Sequence, residues 1–135
     1  MAGERISADD DLSPLSGAQI EIMNLVWELG ETTVSEVWKV LQQKRPVART
    51  TVLTVIDRLE KKGWLRRRIA EQQHFYSAAR TRQATLGGIV ERLVQTAFAG
   101  SAEDLVVALL DGRGVSDAEA KRIRSLIEQA RRKQT

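Results

Sequence analysis

The stretch RTTVLTVIDRLEKKGWLRRR, residues 49–68, holds the side chains whose types and spacing could do chemistry. Set on a helix with Val52, Val55, Ile56 and Leu59 facing inward, it turns Thr50, Thr54, Asp57 and Lys61 outward, with Thr51, Leu53 and Arg58 on the shoulders. Threonine can hydrogen-bond a base edge or a phosphate, its methyl can touch a thymine methyl, and Leu53 can make a similar apolar contact. A helix N-terminus contributes free N–H groups and a positive dipole end, which favour a phosphate. Arg49, Arg58 and Lys61 would reach the backbone beside such a groove, a contact that positions without specifying sequence. Arg66 and Arg68 extend the positive surface past Gly63. Asp57 fits beside a polyanion only if it pairs with Lys61 at i,i+4 or orients Arg58. A solvated charged face is the plain alternative, since charge runs commonly have no other role.

The charge distribution bears on that choice. Net charge is +3, yet residues 1–47 carry four Lys/Arg against eight Asp/Glu, residues 48–80 eight against three, and residues 81–135 nine against seven. The excess of cations therefore sits in the middle third, which marks a basic patch.

Other chemistries find little support. With no cysteine, disulfides, thiolate metal sites and cysteine nucleophiles are excluded, and one histidine, His74, leaves little for a metal site or a catalytic base. No Gly-rich phosphate loop and no convergent carboxylate pair is visible, so no enzyme, no metal and no cofactor is expected. His74 reads as a half-buried strand residue, and Trp27, Trp38 and Trp64 as packing residues. The N-terminus lacks an apolar signal core and no stretch approaches membrane-spanning length, so the expected location is the cytoplasm.

The elements that must position the basic stretch follow from caps and periodicity. Residues 1–12 are polar and acidic without periodicity, and are expected to be a mobile arm. Ser16 with Gln19 makes a capping box, with Leu15 and Ile20 spaced as a hydrophobic staple. A helix bearing Ile20, Met23, Val26 and Trp27 then runs to Gly30. Thr33 with Glu36 opens a second helix, bearing Val34, Val37, Trp38 and Leu41, that ends before Pro46. The third helix covers about 49–62 and stops at Gly63, in the usual place for a left-handed cap. WLRRRIAEQQHFYSA then predicts a β-hairpin with strands near 64–69 and 73–78. Alternation places Leu65, Arg67 and Ile69 on one side, so that Arg67 packs its stem over the core; Gln72 and Gln73 fall at the tip, with His74 there as an alternative to its half-buried place. Thr32-Thr33-Val34 could supply a small third strand. Three helices and a hairpin in this order predict a winged helix-turn-helix over residues 13–80, within a fold that is mainly α.

From residue 81 the pattern is helical and is expected to form a separate domain, 81–135. A helix over about 82–98 carries Leu86, Ile89, Val90, Leu93, Val94 and Phe98, and Gly100 breaks it. A helix over 102–110 carries Leu105 and Leu109. A third, boxed by Ser116 and Glu119, carries Ile123, Leu126 and Ile127. Helices this short enclose little core, so these apolar faces are expected to be covered by a second copy, with packing back on the first domain as the alternative.

The run TTVLTVIDRLEKKGWL, preceded by IEIMNLVWELG and VSEVWKVL, resembles the penicillinase-repressor family, which includes the β-lactamase and methicillin-resistance repressors. The resemblance covers about residues 12–126, and its most specific piece is TTV-x-T-x-x-x-RL-x-KKG. It implies a homodimeric transcriptional repressor on double-stranded DNA at a palindromic operator, with Thr50, Thr51, Leu53 and Thr54 as base-reading candidates and a C-terminal helical dimerisation module. Some relatives carry a long polar or basic residue where this chain has Leu53. In well-known members a membrane sensor-protease system leads to cleavage in the short dimerisation helix. The matching position here is Ala108-Leu109, where those relatives have Asn-Phe. A copper-responsive branch uses C-terminal cysteine pairs, which this chain lacks. Two other readings remain: a winged helix used for protein interaction, and a DNA-binding regulator controlled by a small ligand.

Overall fold

The computed structural model describes residues 15–134. The expected arm at 1–12 lies outside them. Six helices and one hairpin follow in the order α1 (Gly17–Leu29), α2 (Val34–Lys44), α3 (Arg49–Lys61), β1 (Leu65–Ala70), β2 (Gln73–Ala78), α4 (Arg82–Thr96), α5 (Ala102–Gly112) and α6 (Asp117–Gln134). They fall into two compact units, with the division inside α4 between Ile89 and Val90.

The first unit is built on well-terminated helices. Both expected capping boxes form: the Gln19 and Glu36 amides donate to the Ser16 and Thr33 hydroxyls, and the two carboxamide or carboxylate side chains accept from the cap amides in return. Gly30, at φ 80° and ψ −147°, ends α1 while its amide donates to Val26. Pro46 stops α2, and the turn after it is held by two side chains. The Gln42 carboxamide accepts from the Val47 amide at 3.0 Å, and the Trp38 indole donates to the Val47 carbonyl at 2.7 Å. This turn sets where α3 begins.

The core joins Ile22, Met23, Leu25 and Val26 of α1, Val34, Val37 and Leu41 of α2, Val52, Ile56 and Leu59 of α3, and Trp64, Leu65 and Tyr76 of the hairpin. The buried face of α1 is therefore rotated from the expected stripe: Ile22 and Leu25 are core, while Ile20 and Trp27 are half-buried. A helix covered on more than one side buries a wider arc than a single-stripe reading assigns. Trp27 also donates its indole N–H to the Arg80 carbonyl at 2.9 Å, tying the end of the hairpin to α1.

β1 and β2 pair antiparallel from Leu65 opposite Ala78 to Ala70 opposite Gln73. Glu71 and Gln72 form the two-residue turn with φ of 52° and 64°, the positive values at both central positions that a type I′ turn requires. That geometry explains why the loop carries no Asn-Gly signature yet is as short as one. The third strand contracts to a single bridge, in which Thr32 and Tyr76 exchange amide-to-carbonyl bonds of 2.9 and 2.7 Å. Thr33 is already the cap of α2, which leaves no residue to extend the strand.

In the second unit α4 ends at Thr96, two residues earlier than expected. Ala99 and Gly100 follow at φ 51° and 86°, and the Gly100 amide donates to the Val94 carbonyl. α5 runs two residues past its expected end, to Gly112, and closes on Gly114 at φ 72°. Ser101 caps α5 by accepting from the Asp104 amide, and Ser116 accepts from the Glu119 amide at the start of α6. Neither α5 nor α6 has a buried residue.

Candidate nucleic-acid interface

The inward side of α3 is fully buried at Val52, Ile56 and Leu59, so its rotation is fixed and its outward side follows. Arg49, Thr50, Thr51, Leu53, Thr54, Arg58 and Lys61 are all exposed, Leu53 by 42%. The four base-reading candidates lie within the first two turns. The Thr54 hydroxyl donates to the Thr50 carbonyl at 3.0 Å, so its one proton is engaged with the backbone while its oxygen can still accept. Thr50 and Thr51 have side-chain hydroxyls without such a bond among the described residues.

The start of α3 differs from those of α1 and α2. Its cap is Ala48, and no side chain caps its first turn. The amides of Thr51 and Val52 reach the Ala48 carbonyl at 3.1 and 3.3 Å. Those of Arg49 and Thr50 lie in the stretch of a helix that lacks intrahelical partners. The end of α3 is a Schellman motif: the Trp64 amide donates to the Leu59 carbonyl at 2.9 Å and the Gly63 amide to the Glu60 carbonyl at 3.1 Å, with Gly63 at φ 89°. The hairpin thereby leaves α3 at a defined angle, and Trp64 and Leu65 enter the core at once.

The cations divide into held and unheld sets. Arg49 donates to the Ser35 hydroxyl on α2 from Nε and Nη2, at 3.3 and 3.1 Å. Lys61 pairs with Asp57 at 3.1 Å, the i,i+4 pairing that Asp57 needed. Arg68 donates through Nε and Nη2 to the two carboxylate oxygens of Glu31, both at 2.8 Å, and its guanidinium lies 4.8 Å from the centre of the Phe75 ring. That two-point hydrogen bond holds the Glu31 carboxyl below the usual range and raises the Arg68 guanidinium, with partial desolvation opposing both. Away from the interface, Arg45 makes the same kind of pair with Glu21. Arg58, Lys62, Arg66 and Arg67 have no side-chain bond or ion pair among the described residues. Of the described cations on α3 and the hairpin, those without a partner therefore sit at the end of α3 and the base of the hairpin.

Two expectations for the hairpin change. Arg67 shares a face with the buried Leu65, as alternation requires, but it is exposed rather than laid over the core, because Tyr76 directly opposite it already fills that place. His74 is exposed and not half-buried, since it pairs with Ile69 near the tip, where that same face has run past the core and leaves Ile69 60% exposed. Gln72 and Gln73 are exposed at the tip. The charge pattern alone gave no hint of Glu31, a residue of the loop before α2 that reaches the hairpin. Its signal in sequence was only its place next to Thr32, the residue expected to pair with the hairpin.

The apolar residues expected to form a covered surface in the second unit remain open in the single chain. Leu93, Leu109, Leu126 and Ile127 are exposed, the last two by more than half, and so are Val106, Val107 and Leu110. Val90, in the same unit, is also exposed, whereas Val94 is buried and Phe98, Leu105 and Ile123 are half-buried. Leu86 and Ile89, on the first-unit side of the division, are half-buried. Among the described residues no helix is long and apolar enough to cross a membrane.

Comparison with known proteins places these features. The family model described as penicillinase repressor matches residues 15–129. A transcriptional regulator BlaI of Mycobacterium tuberculosis is 31% identical over 119 residues, covering 87% of this chain and 86% of its own. A penicillinase repressor of Staphylococcus aureus is 22% identical, covering 88% and 94%. Among solved structures, a mutant MarR from E. coli aligns with a TM-score of 0.52 at 21% identity, over 91% of this chain and 84% of that one. The same mutant complexed with operator DNA aligns with a TM-score of 0.50, over 91% and 81%. The likeness to MarR establishes a winged-helix fold. With the family match spanning both units, the chain belongs to the penicillinase repressor family.

Proposed function

We propose that the protein is a homodimeric, sequence-specific DNA-binding repressor that acts by binding and not by catalysis. The observation that carries this is the face of α3: Thr50, Thr51, Leu53 and Thr54 stand exposed opposite the buried Val52, Ile56 and Leu59, with Val55 half-buried, beside unheld cations and next to the hairpin. Against a major groove the exposed Leu53 can meet thymine methyls, with threonine hydroxyls beside it to reach base edges or phosphates. Arg49, Arg58 and Arg66 contact phosphates on either side, joined by Lys61 once its single-point, exposed pair with Asp57 opens, and Gln72 and Gln73 follow the backbone at the hairpin tip. Residues 13–80 form the DNA-binding domain and 81–135 the dimerisation domain.

Dimerisation is supported by the exposed Val106, Val107, Leu109, Leu110, Leu126 and Ile127, carried on two helices that have no buried residue of their own. Two linked winged helices on a palindromic operator gain affinity through effective concentration without any new contact. Family relatives support the reading of repression, since they include a penicillinase repressor and a methicillin resistance regulatory protein. Derepression by a regulatory protease of a membrane sensor system, cutting at Ala108-Leu109 in the cytoplasm, is compatible with a helix that holds no buried residue in the free chain and so opens locally at low cost whenever the dimer dissociates.

The test is selection of bound duplexes from a random pool with the full-length protein, followed by titration of the selected site at several salt concentrations. A palindromic site bound by two chains, with a steep fall in affinity as salt rises, is the expected result. Weak binding indifferent to sequence would overturn the repressor reading and make the basic hairpin a general polyanion surface.

A further inference from the structure

The hairpin carries three consecutive arginines, and the structure treats them differently. Arg66 and Arg68 share one face by alternation, so sequence alone makes them equivalent phosphate ligands. Arg66 is unheld, whereas Arg68 is gripped at two points by Glu31 and stacked on Phe75, its cross-strand neighbour. Glu31 directly precedes Thr32, whose amide and carbonyl both pair with Tyr76, next to Phe75 on β2. The loop before α2 therefore clasps the hairpin by a main-chain bridge and, one residue away, by a side-chain pair. The pair is electrically neutral, so Arg68 carries no uncompensated charge to offer a polyanion, and two of its five N–H donors are already engaged.

We propose that Glu31 is a positioning residue of the DNA interface: it withholds Arg68 from the phosphate backbone and uses it to hold the hairpin in place, which leaves Arg66 as the arginine of this hairpin face that binds phosphate. This rests on the DNA-binding reading above. Its physical content is a difference in salt dependence, because the salt slope counts phosphates neutralised and is blind to folding contacts that release no counterions.

The experiment compares full-length wild type with Arg66→Gln, Arg68→Gln, Glu31→Gln and the double variant Glu31→Gln with Arg68→Gln, on the selected duplex over a salt series. Arg66→Gln makes the logarithmic salt slope shallower by about 0.9 per bound chain. Arg68→Gln leaves the slope unchanged. Glu31→Gln steepens it by about the same amount, since the released guanidinium now finds a phosphate, and the double variant returns to the wild-type slope. A shallower slope in Arg68→Gln, equal to that in Arg66→Gln, would overturn the proposal, as would an unchanged slope in Glu31→Gln.

A second readout needs no DNA. Amide exchange at Tyr76, whose N–H donates to the Thr32 carbonyl at 2.7 Å, is expected to quicken roughly two- to fivefold in both Glu31→Gln and Arg68→Gln and to stay unchanged in Arg66→Gln, the scale set by one surface ion pair. Unchanged exchange in the first two variants would overturn the clasp. Absence of specific binding by wild type would overturn the repressor reading instead, with the exchange data still deciding whether Glu31 positions the hairpin.

Discussion

Alanine at Gly63 and at Gly30, one at a time, separates two kinds of backbone strain that the fold uses to aim its interface. Gly63 is the left-handed residue of the Schellman motif between α3 and the hairpin, at φ 89°. A Cβ built there meets nothing within 4 Å, so no clash contributes and the cost is conformational alone. An L-residue in the left-handed region costs about 1–2 kcal/mol. The substitution recovers about 0.4–1 kcal/mol by narrowing the unfolded ensemble, which leaves a net loss of about 1 kcal/mol. Gly30 also has open space around its Cβ position, but its φ of 80° with ψ −147° falls near the region that only glycine populates. Strain there reaches about 3 kcal/mol, so after the same offset the net loss is about 2 kcal/mol. Urea unfolding at one fixed protein concentration reads both. With a slope of about 1–3 kcal/mol per molar urea, the Gly63→Ala midpoint falls by about 0.5 M and the Gly30→Ala midpoint by about 1 M. Equal midpoints, or the reverse order, would refute the argument that conformation and not packing selects glycine at these two turns.

The buried and exposed sides of α3 respond oppositely. Ile56→Ala, at a fully buried site, is expected to cost about 2–5 kcal/mol in chemical denaturation. Leu53→Ala, at a site 42% exposed, is expected to cost well under half of that while relaxing preference among selected duplexes; a stability loss matching that of Ile56→Ala would show that Leu53 is core. In the second unit, Leu93→Asp or Leu109→Asp is expected to lower dimerisation in sedimentation experiments and operator affinity together, and a monomer with full affinity would refute the linkage. The carboxyls of Glu21 and Glu31 are lowered in the fold by hydrogen bonds from Arg45 and Arg68. Their stabilisation is therefore complete above the ordinary carboxylate range and is lost as pH falls through the lowered folded values. Glu21→Gln should flatten the acid limb of a stability profile, and an identical profile would place that linkage elsewhere.

The winged-helix elements were legible because their boundaries are written in local chemistry. Ser16, Thr33 and Gly63 each act within four residues, and the Asp57–Lys61 pair is one helical turn long, so sequence spacing contains the whole interaction. What escaped was set by contacts distant in sequence. Which side of α1 is buried depends on being packed by α2, α3 and the hairpin together, and a stripe read from one helix cannot supply that. Arg67 was assigned to the core by alternation, but Tyr76 from the neighbouring strand occupies the space. Glu31 and Arg68 are 37 residues apart, and no local pattern distinguishes Arg68 from the arginines before it. The turn at Glu71-Gln72 was obscured for another reason, since it adopts positive φ without the residues that signal it.

The capping pattern gives a further reason to look for a ligand at α3 and not elsewhere in the first unit. The Ser16, Thr33 and Thr81 hydroxyls each accept a bond from an amide in the first turn of α1, α2 and α4, whereas the side chain of Ala48 offers no acceptor to α3. Replacing a good cap by alanine costs a helix about 1 kcal/mol, and the chain tolerates that at the helix whose outward face is richest in threonine. A serine at this place would satisfy an amide that a phosphate could otherwise use, and would compete with it. The same trade is visible at the hairpin tip, where Glu71 and Gln72 hold positive φ without being glycine. In both places the fold forgoes local stability at residues facing outward, while every core position of α3 is filled by an aliphatic side chain. In the first unit, an uncapped helix start and a strained hairpin tip beside an aliphatic core are the pattern expected if this face binds a ligand.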